Sequence, residues 1–229
     1  MRIGLTKYGL PQVVVFPTMI LAAMGVVLWA GVEISSMSVA LCIEVVLLVA
    51  LLWILSFFRD PYREVPTDDS LLLSPADGKI SDIETVDEPV FIGGKAVRIG
   101  VFLSIFNVHI NRAPCACRVE KIVYKEGEFR DARSEECGQV NESNSLYLTR
   151  ISGNGGRMIV RQVSGAIARR IVCATEGGAE LAGGEQFGMI KFGSRTELYI
   201  PAGGDFKVLA KVGDNVAAGV TVMVKYRKD

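Results

Sequence analysis

Two stretches near the amino terminus are apolar without interruption, and beyond them the chain changes to short alternating runs. Val13 to Val32 is 20 residues without a charge, and Met37 to Phe58 is 22 residues whose only charge is Glu44. At 1.5 Å per residue each is long enough, as a helix, to cross a hydrocarbon core of about 30 Å. Only residues 33–36 separate them, so the pair is predicted to form a helical hairpin. Pro17 lies inside the first span, where membrane helices tolerate it. Glu44 is predicted on the inner face of the hairpin, hydrogen-bonded to the neighbouring helix. Arg2 and Lys7 precede the spans, Arg59 and Arg63 follow them, and the linker has no basic residue. By the positive-inside tendency both ends face the cytoplasm. The first run is too long, and lacks the small-residue site, for a cleaved signal peptide.

From residue 59 the helical period disappears. Ala96–Leu103, Val119–Tyr124, Ser145–Ile151, Arg157–Val163, Glu197–Ile200 and Val220–Tyr226 are rich in Val, Ile, Phe and Tyr and bounded by Gly, Asp and Asn. They read as strands separated by turns. Val163–Val172 is the best helix candidate. Val208–Val222 (VLAKVGDNVAAGVTV) has the hairpin pattern of lipoyl- and biotinyl-type sandwiches, with turns at Gly213 and Gly219. No lysine sits in a carrier tripeptide, so a lipoate or biotin carrier is not expected. The predicted fold is mainly β, a β-rich α+β class with lipoyl-like sandwich elements, behind an N-terminal membrane hairpin. The predicted division is a hairpin at 1–58 and a catalytic domain at 59–229.

Charge and cysteine usage narrow the chemistry. Lys+Arg and Asp+Glu are both 25, so the basic footprint of a nucleic-acid binder is absent. The five cysteines include no C-x-x-C pair, and the only histidine is His109. A disulfide framework and a zinc site are therefore not expected. Cys115 and Cys117, two apart, would share one face of a strand and pack.

Three segments concentrate polar groups. The first is Lys191-Phe192-Gly193-Ser194-Arg195, which holds the only Gly-Ser dipeptide in the chain. The second is SPADG, ending at Asp77-Gly78. The third runs from Phe102 to Pro114 (FLSIFNVHINRAP) and contains His109, Asn111 and Arg112. Two more segments follow in order: NESN at Asn141–Asn144, and V-x-Q-V-S-G-x-x-A-R-R-I from Val160 to Ile171. Together with G-E-x-F-G-x-I-x-F-G-S-R from Gly184 to Arg195, they make the chain resemble the short form of the phosphatidylserine decarboxylase family over nearly its whole length.

That resemblance implies a pyruvoyl-dependent lyase of phospholipid biosynthesis, converting phosphatidylserine to phosphatidylethanolamine. Removing CO2 from an amino acid leaves a carbanion that needs an electron sink, which no ordinary side chain supplies. In the family the hydroxyl of a serine placed as Ser194 attacks the carbonyl of the residue before it, Gly193, turning the peptide bond into an ester. Elimination and hydrolysis then leave a pyruvoyl group that binds the substrate amine as a Schiff base. The implied products are a β chain, 1–193, and an α chain, 194–229, paired as a heterodimer and open to further pairing as a dimer of heterodimers. His109 is the implied proton donor at Cα, a role suited to an imidazole with an ordinary pKa near 6.5. Asp77 is implied to assist self-cleavage. Arg112, Arg195 and the Arg169-Arg170 pair are available to the substrate's anionic groups.

One position departs from the family pattern. Longer members carry a second histidine three residues after the first, as cleavage base, and Arg112 stands there. Either His109 serves both steps, or Asp77 assists Ser194 directly, or Arg112 polarises the scissile carbonyl. Other readings are a membrane-anchored Ser-Lys protease, with Ser194 as nucleophile and Lys191 or Lys79 as base, a tethered lipoyl-like adaptor, and a decarboxylase of an ether-linked phosphoserine lipid. The favoured reading places the catalytic domain at the cytoplasmic face of the membrane, with a membrane phospholipid as partner and with neither a nucleic acid nor a metal.

Overall fold

The structure, a computed structural model, describes residues 3–34, 36–134, 137–151, 156–166, 170–191 and 193–227. The chain divides into two units, Met1–Tyr62 and Arg63–Asp229. Arg2, Arg169 and Phe192, used in the sequence reading, lie outside the described residues.

In the first unit, β1 (Ile3–Leu5) pairs antiparallel with β2 (Arg59–Pro61), so the two ends of the hairpin meet. Between them run helices α1 (Gln12–Glu33) and α2 (Met37–Phe57). Both are apolar on all sides and long enough to cross a bilayer. Gly31 and Ala40 bring the helices close, since a Cβ on Gly31 would lie 2.5 Å from that of Ala40. The Glu44 expectation needs correction. Its side chain is half-buried, but the enclosed Oε1 has no hydrogen-bond partner in the structure. The neighbouring helix is too uniformly apolar to supply one.

The second unit is built of strands, as alternation predicts. In chain order they are β3 (Leu71–Leu73), β4 (Gly78–Glu88), β5 (Gly94–Leu103), β6 (Ile110–Arg112) and β7 (Cys117–Lys125). After the short helix α3 (Cys137–Val140) come β8 (Ser143–Arg150), β9 (Arg157–Ser164), β10 (Arg170–Cys173), β11 (Glu180–Leu181) and β12 (Gln186–Lys191). The last four are β13 (Ser194–Pro201), β14 (Phe206–Val208), β15 (Asn215–Val216) and β16 (Val222–Tyr226). An eight-stranded sheet runs β11-β7-β8-β9-β13-β5-β4-β15, and two three-stranded sheets run β10-β12-β6 and β14-β16-β3. Every one of these pairings is antiparallel. One core joins all three sheets, with Ile99, Val101, Leu103, Leu146, Val160, Leu198, Phe187 and Met223 fully enclosed. Burying each such side chain stabilises the fold by about 1.5–3 kcal/mol. Cys115 and Cys117 belong to this core. Burial pushes the Cys115 thiol up to about 11 and the Cys117 thiol higher still, so both stay protonated and inert.

The helix predicted at Val163–Val172 is not found. Its described ends are strand: Val163 and Ser164 finish β9, while Arg170–Val172 open β10 and pair with Ile190 and its neighbours on β12. Its apolar residues fit a helical period, but sheet pairing on both sides decides the conformation.

Candidate active site

Ser194 is the first residue of β13, held between Leu103 of β5 and Ser164 of β9. Gly193 before it adopts φ +66°, a left-handed conformation that glycine takes at little cost and other residues avoid. Ser194 is fully buried, yet its Oγ has no hydrogen-bond partner in the structure. An enclosed hydroxyl left unpaired costs about 1–3 kcal/mol. Of the five buried side-chain atoms left unpaired among the described residues, it is the only hydroxyl, the others being single atoms of Glu44, Arg98, Glu142 and Arg150. An unpaired nucleophile of this kind calls for an explanation.

His109 bonds directly to this turn. The Gly193 N–H donates to its Nε2 at 3.2 Å. Its Nδ1 lies 2.9 Å from the Asn107 carbonyl oxygen. A carbonyl only accepts, so Nδ1 carries the proton and Nε2 presents its lone pair to the turn. The ring is fully buried. Its loop is tied by Asn107, whose Oδ1 accepts the Ser104 N–H at 2.9 Å.

The Gly193 carbonyl rests against Gly165. A Cβ there would lie 2.5 Å from the Gly193 oxygen and 3.2 Å from the Ala132 methyl. Only glycine leaves room. The NESN and Q-V-S-G segments build this wall: Asn141 donates from Nδ2 to the Ser164 and Arg130 carbonyls, and the Ser164 N–H and hydroxyl both donate to the Glu142 carbonyl. Behind Ser194, a buried amide chain passes from Asn144 to Gln162 to Asn111 and ends on the Thr196 hydroxyl, with steps of 3.0, 2.9 and 3.0 Å. These bonds lock the strands that flank the serine.

Asp77 stands where the SPADG turn meets the C-terminal segment. Its Oδ1 accepts the Ala218 N–H at 2.8 Å, and its Oδ2 pairs with Arg63 at 2.6 Å. Ser74 and Gly219 tie the same turn to residues 217–221, and the Arg112 N–H donates to the Pro75 carbonyl. The turn therefore fastens the His109-bearing segment to residues beyond 194. The Arg112 guanidinium donates to the Gly184 carbonyl at 3.1 Å. Lys191 is almost fully buried at the end of β12, opposite Arg170 in the register. Burial, and then the charge of Arg170, hold its ammonium below the ordinary pKa. Lys79 is exposed.

Arg195 points the other way. Residues 194, 196, 198 and 200 line the core face of β13, while 195, 197 and 199 lie on the opposite face. There the Arg195 guanidinium meets both oxygens of Asp82 at 2.6 and 2.8 Å, the Ser81 hydroxyl at 2.8 Å and Glu197 Oε1 at 2.8 Å. Burial alone would lower its pKa, but these acids overcome it and raise it further. Burial likewise pushes the Asp82 carboxyl up, and hydrogen bonds from Arg195 and Ser81 outweigh it, holding the group below its ordinary value. Sequence reasoning missed Asp82 and Glu197. For Glu197 the available signal was the alternation of Arg195 and Glu197 in an otherwise strand-like run, S-R-T-E-L-Y; for Asp82, far away in sequence, there was none.

Among the described residues, no group of three or more His, Cys, Asp or Glu is placed to hold a metal. The structure thus sets His109 against the turn at Gly193-Ser194, places Asp77 and Arg112 along the seam with the C-terminal segment, and turns Arg195 to the far face.

Comparison with known proteins identifies the family. The family model described as phosphatidylserine decarboxylase matches residues 51–224. A phosphatidylserine decarboxylase proenzyme of Desulfotalea psychrophila is 46% identical over 178 residues, covering 78% of this chain and 81% of the relative. One from Symbiobacterium thermophilum is 45% identical over 172 residues, 75% of this chain and 78% of the relative. One from Rhodopirellula baltica is 46% identical over 173 residues, 75% and 71%. The matched span contains every residue of the buried turn, and the chain belongs to the phosphatidylserine decarboxylase family of carboxy-lyases.

Proposed function

We propose that the chain is made as a proenzyme that cuts itself between Gly193 and Ser194 and then decarboxylates phosphatidylserine to phosphatidylethanolamine. The observation that carries this is the orphaned Ser194 hydroxyl beside a left-handed glycine whose N–H is held by His109. The serine fits the pyruvoyl group implied by the family, because it is enclosed, bonded to nothing and next to a carbonyl fixed on its far side by Gly165. That group, once formed, supplies the electron sink that decarboxylation requires.

The chain's own residues do the rest. Ser194 Oγ is the nucleophile toward the Gly193 carbonyl. His109 Nε2 holds the turn in shape before the cut by accepting the Gly193 N–H, which the cut leaves intact. When the freed β-chain terminus at Gly193 moves away, the Nε2 lone pair is available to carry the proton needed at the substrate's Cα. Asp77 keeps the future α chain fastened to the His109 segment during cleavage. Arg170, exposed and opposite Lys191 in the register of β10 and β12, is available to an anionic group of the substrate. Arg112, opposite Gln186 at the other end of β12, is the second cation available to the substrate's phosphate and carboxylate.

The two apolar helices support attachment to a bilayer, where the two-chain substrate resides. The basic residues flanking them favour the cytoplasmic face for the catalytic domain. The test is turnover of phosphatidylserine in vesicles, followed as CO2 and phosphatidylethanolamine together. Release of both supports the proposal. Neither product, with cleavage of added peptides, would favour the Ser-Lys protease reading.

A further inference from the structure

Self-cleavage creates a mechanical problem. It would convert Ser194 from mid-chain to chain end, and strand ends fray at almost no free-energy cost. Yet the carbonyl made there must stay opposite His109 to within a fraction of an ångström.

The far face of β13 answers this. One residue beyond the cut, Arg195 grips Asp82 through two parallel bonds, donates to Glu197 with its Nε, and is 4% exposed. Glu197 is fully buried, accepts from the Tyr199 hydroxyl at 2.5 Å and faces Arg161 at 3.7 Å. Asp82 also neighbours Arg98 at 3.4 Å. The site is shaped for the guanidinium. The register of β4 against β5 shifts between Ile80 and Asp82, a bulge that turns both Ser81 and Asp82 toward Arg195. A Cβ on Gly100 would sit 2.2 Å from the guanidinium, and one on Gly138 would sit 2.5 Å from Glu197 Oε1. Two glycines thus clear the space and close the lid. Arg195, Glu197 and Tyr199 would belong to the α chain, and Asp82, Arg98 and Arg161 to the β chain.

We infer that the Arg195–Asp82 pair, braced by Glu197, is a clamp between the two chains that holds the new α-chain terminus in register after self-cleavage. These are positioning residues. They touch neither substrate nor the reacting atoms, and act through the strand that carries position 194. The inference rests on the self-cleavage reading above.

The test compares Asp82→Asn in two settings: the self-cleaved enzyme, and a Ser194→Ala background in which the chain stays whole. Hydrogen exchange at the amides of 195–197 is read in each, with kcat and KM on phosphatidylserine vesicles. The expected result is faster exchange only in the cleaved Asp82→Asn enzyme. Its kcat falls on the order of tenfold to a hundredfold, with KM within about twofold of the parent. A merely structural role would raise exchange equally in cleaved and whole chains. That outcome, or an unchanged kcat in fully cleaved Asp82→Asn protein, overturns the clamp and leaves the self-cleavage reading standing. An uncleaved parent enzyme overturns both. Should Asp82→Asn yield no folded protein, Arg195→Lys, which keeps the charge but not the paired bonds, carries the same comparison with the same two outcomes.

Discussion

The two faces of β13 are bonded in opposite ways, although they alternate residue by residue along one strand. On the core face Ser194 keeps an unpaired hydroxyl, while the hydrogen bonds on that side run between uncharged groups, from Gln162 to Asn111 to the Thr196 hydroxyl and from the Gly193 N–H to His109. On the far face Arg195 and Glu197 are saturated with charged partners. The difference separates two demands on one strand. A reactive group must be left under-bonded, which costs stability. The element that carries it must then be over-fastened elsewhere.

Three experiments bear on that contrast. The largest effect is expected from Ser194→Ala. Removing the orphaned hydroxyl should abolish both cleavage and turnover while raising the precursor's melting temperature by a few degrees. A lowered melting temperature would mean that the hydroxyl stabilises the fold and is not under-bonded. A smaller effect is expected from Gly165→Ala, whose methyl would press on the Gly193 carbonyl. Overpacking of this kind costs about 1–3 kcal/mol, so cleavage should slow by roughly tenfold or more, measured by the rate at which intact chain disappears. Cleavage at the parental rate would remove Gly165 from the account of the core face.

The smallest effect concerns the far face and acid. Asp82 is held below its ordinary carboxyl value of 3.8. A depressed folded pKa contributes stability that is fully present above the unfolded value and is lost as pH falls through the folded one. Melting temperature of the cleaved enzyme should therefore drop on acidification below about pH 4, and by less in Asp82→Asn. Identical acid profiles would show that Asp82 carries none of this dependence.

Much of this molecule is legible before any coordinates, for identifiable reasons. The hairpin shows because a bilayer-crossing helix needs an unbroken apolar run, and two are present at 13–32 and 37–58. The long strands show because alternation and bounding turns coincide, as at Ala96–Leu103 within β5. The segments of Ser194 and His109 stand out as candidates because their motifs are short and contiguous, and the fold brings the two together through the Gly193 N–H. The helix expected at Val163–Val172 fails because its apolar spacing fits two periods, and pairing of β10 with β12 decides between them. Arg195 shows as a cation beside the serine, but its meaning changes once alternation places it on the other face. Asp82 is 113 residues away along the chain, so only the fold connects the two. Gly165 was visible as a letter in a motif, while its duty of leaving room for a carbonyl is a matter of distance alone.

The central claim is that this chain becomes two chains at one bond. Intact mass of the purified protein under denaturing conditions tests it most directly. The expected result is two species from the 24.8 kDa chain of 229 residues: an α fragment spanning 194–229, about 4 kDa, and a β fragment near 21 kDa. The small fragment should be lighter by one ammonia than a serine-initiated chain and blocked to amino-terminal sequencing. A single 24.8 kDa species from material that decarboxylates phosphatidylserine would contradict the claim.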